Sequence, residues 1–419
     1  MQSNTRYRFV IQSLAILVRS CGGLVWASAG PLLPLIMKEY GINRGTAGWF
    51  ASAAPLTIAI SAVPLGIVMA RYSLKKTFAI GGFLQAAGIL APLCTSYFPL
   101  VLTRVCFAAG TAITTAVATA IAAEWFTTRE LPLLNGITMS FVNLGNAIAF
   151  VATVPIAMAL SWKAPIVTYG VIALTCATAW AIFGRDQLKV APVNKSPGTP
   201  VPETKVELTI RQALTQRSTV LLAFAVMGNW CLGNAMGSWL PSYYNEVFKM
   251  SLEKASSITA VITVAGTIAC IVGGIIPMRI GRRKPFIIIP GIFMGMSAMS
   301  ALLFNNPALI FLTVACFGVF ANLQTPTLFT IPMELQNASP RMGVLIINAM
   351  QCGGTLGAFV GPLIVGYLAD TTGSYLPGFV ICAVISLSLL VAGLLLPETG
   401  PKARKTKVTD EAARQTLAR

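Results

Sequence analysis

Twelve apolar stretches, each long enough to cross a lipid bilayer as a helix, dominate this sequence of 419 residues. A bilayer core of about 30 Å is spanned by a helix of about 20 apolar residues. The stretches, numbered here as spans 1 to 12, begin near residues 9, 46, 76, 98, 132, 165, 219, 254, 285, 307, 342 and 375. Only 10% of the residues are charged, whereas a soluble domain carries about 25%. The chain is therefore predicted to be an all-α integral membrane protein.

The distribution of the 30 basic residues predicts the orientation of the chain. With both termini in the cytoplasm, 23 of them fall in the tails and cytoplasmic loops, five fall outside, and two lie within spans. Such an excess in cytoplasmic loops is the positive-inside pattern. We expect a multi-pass protein of the plasma (inner) membrane. Because the net charge of +17 mostly reflects topology, it does not indicate a nucleic-acid partner.

A polar segment between spans 6 and 7 divides the chain into two halves. It predicts an N-terminal six-helix bundle at 1–184, a cytoplasmic linker at 185–217, a C-terminal six-helix bundle at 218–397 and a cytoplasmic tail at 398–419. The halves echo each other at an offset of about 208 residues, since GIVMARYSLKK follows span 2 and GIIPMRIGRRK follows span 8. This internal duplication predicts two pseudo-symmetric bundles.

The twelve spans, the linker and the repeated basic loop resemble the major facilitator superfamily along essentially the whole chain. In that family the loop reads approximately Gly-x-x-x-Asp-Arg-x-Gly-Arg-Arg/Lys, and Ala70 and Met278 replace its aspartate here. The PET segment at 397–399 adds to the resemblance, as does the spacing of Glu334 and Arg341. Within the superfamily the chain is most similar to the cyanate permease and organic-anion carrier groups. The matching loop residues are Gly66, Arg71, Lys75 and Lys76 in the first copy, and Gly274, Arg279, Gly281, Arg282 and Arg283 in the second.

The resemblance implies a carrier that exposes one central site alternately to each side of the membrane by rocking its two halves. It implies that spans 1, 4, 7 and 10 line the central cavity. It also implies a protein that acts as a monomer among membrane lipids. Neither a cofactor nor a metal ion is expected, because the nine cysteines form no CxxC pair and the chain has no histidine.

Two arginines, Arg19 in span 1 and Arg104 in span 4, are the charged residues within the apolar stretches. A charge at membrane depth is costly, so it usually marks a functional path. A guanidinium in a low-dielectric cavity can bind a carboxylate or similar oxyanion through two parallel hydrogen bonds. We expect Arg19 to contact the substrate, with extension to the inner interface as the alternative. For Arg104, both substrate contact and a structural or coupling role stay open, because TRVCFAAG resembles a pattern that many family members carry whatever they transport.

Further polar and aromatic residues are predicted to complete the substrate site, with helix packing and interhelical hydrogen bonds as the alternative. They are Trp26, Asn143, Asn146, Asn229, Trp230, Asn234, Asn322, Gln324, Asn348 and Gln351. Charged residues at the cytoplasmic ends of the spans resemble the family's inner-gate ion pairs, and the alternative is that they only set topology. They are Arg71, Glu124, Arg129, Asp186, Arg279, Arg282, Glu334, Arg341 and Glu398. In span 11, Gly353, Gly357 and Gly361 predict close helix packing.

These features favour a secondary active or facilitative transporter of a small anion, such as an organic carboxylate or a cyanate-like species. An exporter of hydrophobic or cationic compounds is the first alternative, and a transport-silent membrane sensor is the second. An enzyme is not expected, because no span carries an Asp, Glu or His at mid-depth to act as a base. The same absence favours anion exchange or facilitated flux over proton symport.

Overall fold

The computed structural model describes residues 7–69, 72–126, 130–186, 215–334 and 340–400. Each predicted span is a helix or a pair of helices in these ranges, which confirms the expected all-α fold. Eleven helical segments are long and apolar enough to cross a membrane, and a helix of 26 residues supplies span 2. Most of the predicted linker and tail lie outside the described residues.

In chain order the helices are Tyr7–Ala27 and Ala29–Tyr40 (span 1), Arg44–Met69 (span 2), Leu74–Gln85 followed by the 3-10 helix Ala86–Leu93 (span 3), Tyr97–Trp125 (span 4), Leu131–Ala159 (span 5), Ala164–Phe183 (span 6), Arg217–Glu246 (span 7), Leu252–Ile280 (span 8), Pro285–Leu303 (span 9), Pro307–Asn322 and Thr325–Glu334 (span 10), Pro340–Thr372 (span 11), and Leu376–Ser386 and Ser388–Leu395 (span 12).

Spans 1 and 10 are broken helices, which the sequence analysis did not predict. Span 1 breaks at Ser28, and Pro31 follows three residues later. Span 10 breaks at 323–324, and Pro326 follows at once. Because proline has no backbone N–H, each proline leaves the carbonyl four residues earlier without its helical donor. Backbone carbonyls near both breaks are therefore available to accept hydrogen bonds from side chains.

The packing of the second half repeats that of the first half. In the first half, span 1 packs on spans 5 and 6, and span 4 packs on spans 2 and 3. In the second half, span 7 packs on spans 11 and 12, and span 10 packs on spans 8 and 9. The halves meet mainly through span 2 against span 11 and span 5 against span 8, which are equivalent pairs at an offset of six spans. The structure thus shows the duplication that the sequence predicted.

The two ends of the bundle are named here by what they carry. The linker side holds Tyr7, Asp186, Arg217 and Glu398, and the far side holds the turns between the odd-numbered spans and the even-numbered spans that follow them.

Several described contacts between the halves lie in the far-side half of the bundle. A methyl group added at Gly30 would lie 2.3 Å from the carbonyl oxygen of Gly237 across the interface. The ring centroids of Trp49 and Phe359 are 5.8 Å apart. In contrast, the main packing of span 4 and of the first helix of span 1 stays within the first half. This packing is compatible with the expectation that spans 1, 4, 7 and 10 line the centre of the molecule.

Spans 7 and 11 approach each other so closely that glycine is required on span 11, as the sequence predicted. A methyl group added at Gly353, Gly357 or Gly361 would lie 2.7, 2.0 or 2.2 Å from a backbone oxygen of span 7. These oxygens belong to Ala223, Met227 and Cys231, which are also spaced by four residues. The glycines let span 11 pack closely against span 7. They recur every four residues, about one helical turn, because each faces span 7.

Substituting Gly357 by alanine should destabilise the protein, because two backbones would have to separate to admit one methyl group. Overpacking of this kind costs about 1–3 kcal/mol. Gly233→Ala on span 7 is the matched control, since its added methyl group would have no heavy atom within 4 Å. In detergent, Gly357→Ala should melt at a lower temperature than both the wild type and the control. Equal melting of the two variants would contradict this packing.

Candidate functional site

Arg19 lies deep in span 1, and its charge has no acidic partner among the residues that the structure describes. It is twelve residues beyond Tyr7, about 18 Å along the helix. It is 7% exposed, and its guanidinium donates a hydrogen bond to the Thr115 hydroxyl of span 4. The Thr115 hydroxyl itself donates to the carbonyl of Thr111 at 2.6 Å. Among the described residues, no carboxylate lies within ion-pair distance of Arg19.

Two amide side chains of the first half, Gln85 on span 3 and Asn146 on span 5, have oxygens without a hydrogen-bond partner among the described residues. Gln85, where span 3 changes to a 3-10 helix, donates to the hydroxyl of Thr114 at 2.8 Å, and its own side-chain oxygen is buried without a partner in the described part of the chain. Asn146 of span 5 likewise has a buried side-chain oxygen with no partner there, 3.2 Å from where a methyl group at Gly23 would lie. A buried acceptor without a donor is costly, so both oxygens are positions where a ligand donor or water would be stabilised.

Arg104 has a different environment, in which backbone carbonyls take up its donors. Its guanidinium donates to the carbonyls of Val25 at 2.5 Å, Trp26 at 3.4 Å and Phe50 at 3.3 Å. It also lies over the rings of Phe50 and Phe107, at 4.4 and 5.7 Å from their centroids. Val25 and Trp26 are in the last turn before the break in span 1. Arg104 therefore satisfies carbonyls at the end of a broken helix, where a cation also complements the helix dipole.

Most of the predicted amide side chains of the second half donate hydrogen bonds to backbone carbonyls of helices. Asn229 of span 7 donates to the carbonyl of Ala321 at 3.0 Å, and Gln324 donates to the same oxygen at 2.9 Å. Both bonds therefore support the break in span 10. Asn234 donates to Ala358 of span 11 at 2.6 Å. Asn322 donates to a carbonyl of its own helix, Gly318, at 3.0 Å.

The remaining predicted site residues lie in several environments. The side-chain oxygens of Gln324 and Gln351 are buried without a partner among the described residues. Asn348 is exposed, and Asn143 and Trp26 are half-buried. Trp230 packs so closely on span 11 that a methyl group at Gly354 would lie 2.7 Å from its ring. The structure thus places Arg19 on span 1 and Asn146 on span 5, which packs against span 1, and it gives most of the second-half amides backbone partners.

At the linker side, one ion pair of the second half uses Arg283, which was not among the arginines predicted for the gate. Arg283, 7% exposed, donates to both carboxylate oxygens of Glu334 at 2.7 and 3.2 Å. Arg279 and Arg282 are exposed. Sequence reasoning recognised Arg283 in the repeated loop but did not select it for the gate. Arg71 and Arg129 lie outside the described residues, as does the side chain of Arg341, and Glu124 is exposed.

Two predicted gate acids instead hold the starts of helices. Asp186, after span 6, accepts a hydrogen bond from the backbone N–H of Lys75 at 2.7 Å. Glu398, after span 12, accepts from the backbone N–H groups of Arg283 at 2.7 Å and Lys284 at 3.2 Å. These positions are equivalent in the two halves, at the starts of spans 3 and 9. A carboxylate at a helix N-terminus is favourable there.

A cluster of charged residues that sequence reasoning missed joins the two halves at the far side. Arg44 of span 2 pairs with Glu246 of span 7 at 2.7 Å and with Asp370 of span 11 at 3.7 Å. Asp370 also accepts from the backbone N–H groups of Arg44 and Gly45 at 3.0 and 2.6 Å. The hydroxyl of Tyr375 accepts from Arg44 and donates to Glu246, both at 2.9 Å. Burial raises the pKa of the Tyr375 hydroxyl, so it keeps the proton that it donates.

This arrangement is a bundle of two repeated halves in contact at the far side, with a buried cation, Arg19, inside the first half. The profile of the family described as Major Facilitator Superfamily matches residues 15–345. The chain belongs to the Major Facilitator Superfamily.

Relatives within the superfamily are similar over most of their length. The chain is 24% identical over 388 residues to a probable sulfoacetate transporter of Cupriavidus necator, covering 87% of this chain and 88% of the relative. It is 24% identical over 397 residues to a hexuronate transporter of Bacillus subtilis, with coverages of 88% and 90%. A nitrite extrusion protein of Bacillus subtilis is 21% identical over 384 residues, with coverages of 91% and 92%.

The superfamily fold is also seen in a solved structure. The chain resembles a bacterial homologue of the human lysosomal transporter Spinster, solved in an inward-facing and unoccupied conformation. The TM-score is 0.74 at 14% identity, covering 92% of this chain and 95% of that chain. The two proteins therefore share the fold.

Replacing Arg104 should destabilise the protein even when no ligand is present. Arg104→Gln would remove the side-chain donors to the carbonyls of Trp26 and Phe50, and would leave Val25 with its bond from the Ser28 hydroxyl, at a cost of about 1–3 kcal/mol. Arg104→Lys keeps the charge but loses the planar set of donors, so it should melt between Arg104→Gln and the wild type. The measurement is the melting temperature of the ligand-free protein in detergent. Wild-type melting of Arg104→Gln would contradict this assignment.

Removing the Arg44 side chain should let the far side open. Arg44→Gln takes away the ion pairs to Glu246 and Asp370, which hold the two halves together. Spin labels at exposed positions 39 and 253, in a Cys352→Ser background, would report the distance between halves. Arg44→Gln should populate longer distances, whereas the exposed Lys38→Gln, the matched control, should not. Identical distance distributions in both variants would argue against a lock at Arg44.

Proposed function

We propose that this protein is a secondary transporter that moves a small anion across the membrane by alternating access, with Arg19 as the counter-charge of the substrate. The proposal rests chiefly on one observation, the buried guanidinium of Arg19 with no carboxylate near it in the described structure. Such a group binds an oxyanion strongly in a low-dielectric cavity. The protein is a carrier and not an enzyme.

The relatives support an anion as the substrate. Those compared above are named for sulfoacetate, hexuronate and nitrite, and a further relative is named as a putative tartrate transporter. All four compounds carry negative charge at neutral pH, although they differ in size and in the number of charges. The shared property is the one that Arg19 would recognise.

Arg104 has a structural role in this proposal. Three of its N–H groups are engaged by the carbonyls of Val25, Trp26 and Phe50, which leaves it less suited than Arg19 to bind a substrate. By fixing the break in span 1, it fixes the helix that carries Arg19. Asn146 and Gln85 supply nearby acceptors that are suited to substrate hydroxyl groups or water.

The ion pairs of Arg44 with Glu246 and Asp370, which join the two halves, indicate which state of the transport cycle the structure represents. With both termini in the cytoplasm, as the basic loops predict, the far side faces outward. Closure at that side makes this arrangement the inward-facing state of the carrier. The protein then acts as a monomer in the plasma membrane, in contact with lipid around its exposed apolar surface.

A thermal-shift experiment on the purified protein tests the anion site. The panel contains glucuronate, tartrate, sulfoacetate and nitrite, together with neutral sugars and lipophilic cations. A ligand at 100 times its dissociation constant adds about 2.7 kcal/mol of stability, which is visible as a higher melting temperature. We expect a shift from at least one anion, and Arg19→Gln should abolish that shift.

Lys254→Gln is the matched control, because it removes one exposed positive charge and should keep the shift. A shift from lipophilic cations alone would favour an exporter. An anion shift of the same size in Arg19→Gln would contradict the assignment of Arg19.

A further inference from the structure

In the sequence, the acidic residues all fall away from the middle of the twelve spans. They occupy loops, tails and the ends of spans, and the chain has no histidine. They are Glu39, Glu124, Glu130, Asp186, Glu203, Glu207, Glu246, Glu253, Glu334, Asp370, Glu398, Asp410 and Glu411. The described parts of the spans therefore offer no carboxylate or imidazole that could neutralise a cation at mid-depth, or take up a proton there with the substrate.

The charge of Arg104 does not change its surroundings when the halves rock. Its carbonyl partners belong to spans 1 and 2, and the aromatic rings beneath it belong to spans 2 and 4. All of these residues are in the first half, which moves as one body in a rocking carrier. Arg104 is therefore equally stabilised in every state of the cycle.

Arg19 is in a different position, because its recorded partner is the neutral hydroxyl of Thr115. To pass from one state to the other, the carrier must close both ends of the cavity around this guanidinium at the same time. A buried charge without a counter-ion is strongly disfavoured. A bound monoanion makes the closed cavity neutral, whereas an empty cavity keeps a net charge of +1 and a bound dianion leaves −1.

We propose that the carrier is a strict exchanger of monoanions, in which the halves change state with one monovalent anion bound at Arg19 and hardly ever when the site is empty. This inference rests on the proposed function and goes beyond it, because it names the charge of the substrate and the coupling. Entry of one anion is then tied to exit of another. A proton gradient supplies no driving force, and the exchange moves no net charge.

Flux measurements in liposomes containing the full chain test this coupling. Radiolabelled glucuronate and lactate serve as monoanion probes, and tartrate serves as the dianion probe. Each is presented to vesicles loaded with the same unlabelled anion or with buffer alone, with the membrane potential clamped at zero. For a transported monoanion, uptake into anion-loaded vesicles should be about 100-fold faster than uptake into buffer-loaded vesicles. This ratio corresponds to a difference of about 2.7 kcal/mol between the free-energy barriers for reorientation of the empty and the loaded carrier.

Three results would overturn the inference. They are equal uptake into anion-loaded and buffer-loaded vesicles, accumulation driven by an inward proton gradient without internal anion, and exchange of tartrate faster than exchange of either monoanion. If none of these anions crosses in any arm and none shifts the melting temperature, the proposed function fails, and the exchange inference fails with it. A melting shift combined with non-coupled flux would instead leave the anion site standing and refute exchange alone.

A variant at Thr115 ties the exchange to the charge of Arg19. Thr115→Glu places a carboxylate beside the guanidinium, so the empty cavity becomes neutral and can reorient. The ratio of exchange to net uptake should fall to below about tenfold, even if the absolute rate drops. Thr115→Gln, similar in size and neutral, should keep a high ratio. A wild-type ratio in Thr115→Glu would show that the charge of Arg19 does not impose the coupling.

Discussion

The need to accommodate positive charge inside a membrane governs this structure. The two arginines within the spans meet that need in opposite ways. Arg104 is enclosed by three carbonyls and two aromatic rings of its own half, and the break in span 1 is what leaves carbonyls free to receive it. In the described part of the chain, Arg19 has one hydrogen-bond partner, the hydroxyl of Thr115. Arg104 stabilises the fold, whereas the charge of Arg19 still needs a counter-ion, which a transported anion can supply.

The contacts divide into those that stay fixed and those that must break when the carrier changes state. The glycine contacts of spans 7 and 11 and the carboxylate caps of Asp186 and Glu398 lie within one half each, so they keep each half rigid. The far-side cluster of Arg44, Glu246 and Asp370 crosses between halves. Its ion pairs are partly exposed and close to water, so they can separate at a moderate cost. Alternating access requires halves that move as rigid bodies and contacts between them that break at a moderate cost.

The sequence predicted the structural features that depend on hydrophobic periodicity and on the free-energy cost of placing a charge in lipid. The twelve spans, the duplication, the glycine packing of span 11 and the depth of Arg19 all follow from such rules. Pairings over long separations did not follow, because Arg44 and Asp370 are 326 positions apart and nothing local indicates their contact. The carbonyl partners of Arg104 were also missed, since the break in span 1 that frees them was not predicted. For the same reason, the roles of Asn229 and Gln324 at the break in span 10 became visible only in three dimensions.

The central claim is that one arginine, Arg19, holds the transported anion. The most direct measurement is an experimental structure of the protein with the anion that gives the largest melting shift. The account predicts density for an anionic group within hydrogen-bond distance of the Arg19 guanidinium, with the carbonyl contacts of Arg104 unchanged. An anion bound at Arg104, or in a place that Arg19 does not reach, would contradict it.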